Sequence, residues 1–119
     1  MNIEDLYSLC ASKPYVNEDF PFDDQTLVFK IGGKIFLLVD INNPISISVK
    51  CSPERSIELR ERFEGIQPGY HMNKKHWITI SLRAEIPQEI LVECINNSYE
   101  LVIKSLTKKM QTCFNVENL

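Results

Sequence analysis

The sequence is poor in the features that announce catalysis, secretion or a membrane. Its four glycines form no phosphate-cradling loop, since neither G-x-G-x-x-G nor a G-K-[ST] ending occurs. No G-x-S-x-G elbow or papain-type cysteine context is present. The two histidines, His71 and His76, lack an H-E-x-x-H arrangement, so no metal is expected. Cys10, Cys51, Cys94 and Cys113 include no C-x-x-C pair. The first three lie in apolar patterns, where free cysteine behaves as a small buried hydrophobe. Plain thiols in a reducing compartment are expected. The run Ile35 to Val39 is too short to cross a bilayer. The acidic Met1-Asn2-Ile3-Glu4-Asp5 start lacks the basic-then-apolar layout of a signal peptide. A cytoplasmic, non-enzymatic protein without a cofactor is the expectation. There is no basic excess either: 13 Lys and Arg stand against 16 Asp and Glu, a formal charge of −3. Bulk attraction to nucleic acid or to an anionic membrane is therefore absent, and an anionic partner would need a local patch.

What is present is a single-domain pattern over residues 1–119, 44% hydrophobic and 24% charged. Ile3, Leu6, Tyr7 and Cys10 form a helical stripe that Lys13-Pro14 should end. Residues 17–25 read as an irregular acidic loop with Phe20 and Phe22 tucked inward. From Thr26 the period becomes two: Leu27, Phe29 and Ile31 share one face, Gly32-Gly33 turns the chain, and Ile35, Leu37, Val39 and Ile41 return. Asn42-Asn43-Pro44 makes a second turn, and Ile45, Ile47 and Val49 alternate against Ser46, Ser48 and Lys50. Ser52-Pro53-Glu54 starts a helix that runs to Phe63. Gln67-Pro68-Gly69 is a connector, and His76 to Leu82 is a strand. Pro87 opens a long helix striped by Leu91, Cys94, Ile95, Ser98, Val102 and Leu106, with a frayed tail after Thr107.

The element order is helix, three strands, helix, strand, helix. It predicts an α+β two-layer sandwich with helices on one face of a mostly antiparallel sheet. The other face would carry Val28, Lys30, Phe36, Leu38, Ser48, Lys50, Trp77, Thr79 and Ser81.

Charge is unevenly spread. Glu4, Asp5, Glu18, Asp19, Asp23 and Asp24 face a lone Lys13 in the first 25 residues. Residues 26–84 reverse the sign with nine basic groups against five acids, and the remainder is acidic again. His71-Met72-Asn73-Lys74-Lys75-His76-Trp77 is the densest constellation, combining lysines for phosphate with rings for stacking. Two readings follow. In the first, Lys34, Lys50, Arg55, Lys74 and Lys75 meet DNA phosphates, while His71, Asn73, His76 and Trp77 complete the contact. In the second, the open sheet face with Phe36, Leu38 and Trp77 docks a protein partner, a second copy or a small ligand. The chain itself would be a monomer or weak dimer.

The whole pattern resembles the MmcQ/YjbR family of small bacterial proteins. The resemblance rests on Val28-Phe29-Lys30-Ile31-Gly32-Gly33-Lys34-Ile35-Phe36, on Ser48-Val49-Lys50-Cys51 leading into Pro53-Glu54-Arg55, on Pro68-Gly69-Tyr70-His71-Met72-Asn73-Lys74-Lys75-His76-Trp77, and on Ser98-Tyr99-Glu100-Leu101-Val102. It implies a frataxin-like α+β sandwich and a DNA-binding role through two hairpin-like wings. On this chain those wings would be the Gly32-Gly33-Lys34 hairpin and the His71 to Trp77 segment. With this net charge, such binding would be weak and steeply salt-sensitive.

Overall fold

A computed structural model describes residues 1–43, 45–69 and 72–114. The elements are α1 (Ile3–Ala11), β1 (Val16–Asp19), β2 (Thr26–Ile31), β3 (Lys34–Asp40), β4 (Ser46–Lys50), α2 (Pro53–Arg62), β5 (Ile66–Pro68), β6 (Trp77–Ser81), α3 (Gln88–Ser105) and α4 (Lys108–Cys113). The strands form one antiparallel sheet in the order β1-β2-β3-β4-β6-β5. Leu6 and Cys10 of α1, Leu59 of α2 and the α3 stripe join Leu27, Phe29, Leu37, Val39, Ile47, Val49, Ile78 and Ile80 in one core. The α+β class and the single helix-covered face are as the periodicity predicts. No helix among the described residues is long and apolar enough to cross a membrane.

The element order differs from the sequence reading in three places. Residues 16–19 are an edge strand rather than loop, pairing Val16 with Ile31 and Asp19 with Val28. An edge strand half in water carries no alternation to detect, and its acids, Glu18 and Asp19, are the charged blunting that edges tolerate. Tyr15, at φ 62, turns the chain into it and stacks on Phe114 at 4.9 Å. The connector at Gln67 is the short strand β5. By the two-residue alternation between the Gly65–Ser81 and Gly69–Trp77 bonds, Gln67 gives its backbone groups to Thr79. The backbone groups of Ile66 and Pro68 then point away from β6; the Ile66 N–H goes to Phe63 and Pro68 has none, so the second edge offers no free donor. Of the tail after Thr107, Lys108–Cys113 form α4, whose N-terminus the Thr107 hydroxyl caps by accepting from the Met110 N–H at 3.2 Å, and residues 115–119 lie outside the described residues.

One correction concerns the sheet's faces. Phe29 pairs with Leu37 but Lys30 pairs with Ile35, so a bulge at Phe36 turns that ring into the core. There it meets Tyr99 edge-on at 5.4 Å. Ile35 is displaced to partial exposure and Ile41 is exposed, against the alternation read from the sequence. At the tip of the hairpin Gly32 adopts φ +60, and a Cβ there would come within 2.9 Å of the Leu106 side chain. Glycine is thus required both by the turn and by the helix end packed over it.

Just past the bulge, β3 and β4 part. Their register runs from Val39–Ile47 to Leu37–Val49. At the next position the buried Ser98 hydroxyl of α3 accepts from the Lys50 N–H at 2.8 Å and donates to the Phe36 carbonyl at 2.6 Å. Ser98→Ala leaves both backbone groups without that partner and should lower unfolding free energy by about 1–3 kcal/mol. Urea denaturation monitored by circular dichroism checks this, with the denaturation midpoint falling and the m-value unchanged.

Candidate functional site

The register sets which groups share an end of the sheet. Lys34 begins β3, Lys50 ends β4 and Trp77 begins β6, so all three lie at one end, together with the β2–β3 hairpin and the β5–β6 connection. The opposite end carries Asp23, Asp24, Asp40, Glu64 and Glu85 against Arg62 and Arg83. The charge blocks of the sequence thus become a polarity along the strands.

Within the loop end, the expected contact residues divide by what already engages them. Asn73, Lys74, Lys75 and His76 are consecutive and exposed. The Asn73 side chain accepts from the Lys75 N–H at 2.9 Å, and its carbonyl accepts from the His76 N–H at 3.2 Å, which fixes this turn. Cys51 N–H donates to the His76 carbonyl at 2.8 Å, bringing the loop beside Lys50. Among the described residues, Lys50, Lys74 and Lys75 form no ion pair. Pro53, Ile57, Arg60 and Pro68 join Lys74 and Lys75 around a groove of about 300 Å³, so Arg60 is drawn into the same cationic edge.

Three expected contacts have other duties. Arg55 is held by Glu58 at 2.6 Å and Glu93 at 2.7 Å, tying α2 to α3. Lys34 reaches the carbonyl of Ser105 at 3.1 Å, a cation at the negative end of α3. Trp77 faces away from the helices but is only 8% exposed, and Gly69 packs against its Cβ and backbone. A Cβ at position 69 would sit 2.5 Å from the Trp77 Cβ. The indole is therefore a packed wall and not the open stacking surface expected from its neighbours. His71 lies outside the described residues.

The sequence reading missed cations at the other wing. Lys104, Lys108 and Lys109 are exposed on the end of α3 and on α4. Leu106 and Met110 pack over Gly32, which sets these lysines beside the hairpin. The signal was available in Thr107, an N-cap residue whose helix would return the chain over the turn.

Among the described residues, no three His, Cys, Asp or Glu side chains gather as a metal site. Burial pushes the Cys10 and Cys94 thiols up to about 12, with Cys51 adding to the effect on Cys94, and burial raises Cys51 as well. Thiolate is the reactive form, so these three should be inert in the native chain. A thiol reagent at neutral pH should titrate the exposed Cys113 alone, and all four cysteines after denaturation. Fast reaction of a second native thiol would contradict this burial.

The fold is shared with known proteins. The family model described as YjbR matches residues 11–101. The uncharacterized protein YbdF of Escherichia coli O157:H7 is 40% identical over 104 residues, covering 87% of this chain and 85% of that protein. The uncharacterized protein YjbR of Escherichia coli K12 is 27% identical over 110 residues, covering 92% and 93%. In three dimensions the chain is similar to the crystal structure of Deinococcus radiodurans protein DR2400, a DUF419 domain. The TM-score is 0.90 at 43% identity, over 96% of this chain and 88% of that one. A Pseudomonas syringae protein superposes with a TM-score of 0.71 at 28% identity, over 86% and 99%. A family match over most of the chain and a relative at this identity carry the same conclusion, that the chain belongs to the YjbR family.

Proposed function

We propose that the protein is a non-catalytic DNA-binding module that docks the phosphate backbone with the loop end of its sheet. The carrying observation is the meeting of two connections at one end, one of them an exposed Asn73–His76 turn with Lys74 and Lys75 outside any described ion pair, with Asp23, Asp24, Asp40, Glu64 and Glu85 at the other. Lys50 and Arg60 extend the turn's cationic surface, and Lys104, Lys108 and Lys109 flank the hairpin. This corresponds to the two wings that the family resemblance implies, and we read the layer arrangement as frataxin-like on the same basis. Lysines on mobile stems against a net negative chain suit weak backbone contact rather than base readout. A cytoplasmic setting suits the buried free thiols.

Fluorescence anisotropy of labelled duplex and single-stranded DNA at two salt concentrations tests the reading. Affinity should fall with salt, and Lys74→Ala with Lys75→Ala should reduce the log–log salt slope for duplex by about 2, near 0.9 for each phosphate that the variant no longer neutralises. Arg55→Ala should lower stability and leave that slope unchanged, because its charge is already spent on Glu58 and Glu93. No binding at low salt, or a slope indifferent to both lysines, would overturn the assignment.

A further inference from the structure

The sheet face turned away from the helices holds a trough of about 740 Å³ that the cationic end does not use. Its floor is one register row across four strands, Leu38–Ser48–Thr79–Gln67. At a strand spacing near 4.8 Å that row is roughly 14 Å long, room for a molecule of two or three rings. Phe22 walls one side from the β1–β2 loop, and Met72 the other from the β5–β6 loop. Phe22 is 65% exposed and Phe20 42%, so neither ring tucks inward as the loop's sequence predicts, and Phe22 lies at the trough instead. Its loop is not slack. Asp23 accepts from the Thr26 N–H at 2.6 Å and the Gln25 N–H at 2.9 Å, bonds that hold its carboxyl below the ordinary range.

The chemistry of the lining selects the ligand. The walls are apolar, and the floor carries hydroxyl and amide groups, with Ser48 and Thr79 3.2 Å apart. Among the described lining residues Asp40 is the one ionisable group. Its Oδ1 accepts from the N–H of Asn42 at 2.9 Å and of Asn43 at 3.2 Å, which fixes the carboxylate at the end of the trough. A pocket of this volume, with aromatic and aliphatic walls and a few placed polar groups, has the proportions of a small-molecule site. Its charge complement is a cation, opposite to that of the loop end. We propose that this trough is a binding site for small aromatic amines, with the ring between Phe22 and Met72 over Leu38 and the ammonium at Asp40.

Three compounds that share one ring system isolate the charge: 2-(1-naphthyl)ethylamine, 2-(1-naphthyl)ethanol and 1-naphthylacetate. Each is titrated into the full isotope-labelled chain and followed by amide chemical shifts. Saturable shifts should centre on Leu38, Ser48, Thr79 and the Phe22 and Met72 loops. The amine should bind about two- to fivefold tighter than the alcohol, the worth of one exposed ion pair, and the acid should be weakest. Asp40→Asn should erase the difference between amine and alcohol, and Leu38→Trp should block all three by filling the floor. Phe22→Ala, at an exposed position that folding does not depend on, should weaken all three even if Leu38→Trp fails to fold. No shifts at the trough, equal affinity for amine and acid, or shifts confined to Lys74 and Lys75 would overturn the proposal, and would leave the DNA reading untouched.

Discussion

Where β3 and β4 part beyond Leu37 and Val49, the hydroxyl of Ser98 takes up both backbone groups facing the gap, and much of the loop end depends on that insertion. A hydroxyl can donate and accept at once, so one buried side chain on α3 closes the ladder and joins the two layers. The splay directs Lys50 and Cys51 away from β3, and Cys51 then bonds to His76. α2 begins immediately beyond, capped by Ser52, whose side chain accepts from the Arg55 N–H at 3.3 Å. Arg55 reaches back to Glu93 on α3 and completes the circuit. The lysine turn is thus anchored to the helical layer through a chain of hydrogen bonds that starts at one serine.

The same sheet separates two chemistries. Its end at the hairpin and the β5–β6 connection gathers lysines, whereas the trough on its outer face has Asp40 as the one ionisable group among its described lining residues. The two regions share the β5–β6 connection, which contributes Met72 to the trough wall and Lys74 and Lys75 to the cationic edge. A short turn, stiffened by Asn73, therefore borders both.

Much of this architecture was legible in the sequence. The α3 stripe, the Gly32-Gly33 hairpin and the Ser52-Pro53 helix start each follow from strong local rules, and each is present. The failures were of two physical kinds. β1 and β5 are held by backbone pairing at the sheet margins, where side chains need not alternate. Phe36, Trp77 and Arg55 were misjudged because their fates depend on distant partners. A bulge cannot be seen in a run of apolar residues, Gly69 lies eight positions before the tryptophan whose Cβ it packs against, and Glu93 is 38 positions from Arg55. The lysines of the β5–β6 turn were easier, since a polar run between two strands has few places to go but outward.

The two margins of the sheet have a consequence for behaviour at high concentration. One margin is lined by Glu18 and Asp19, and the other presents Ile66, whose N–H is already committed, and, two residues on, Pro68, which has none. A strand from a neighbouring copy would meet like charge on one side and missing donors on the other. Edge-to-edge stacking into fibrils is thereby disfavoured by the backbone itself. The exposed Phe22 thus belongs to a sheet whose own margins offer a neighbouring strand little to pair with.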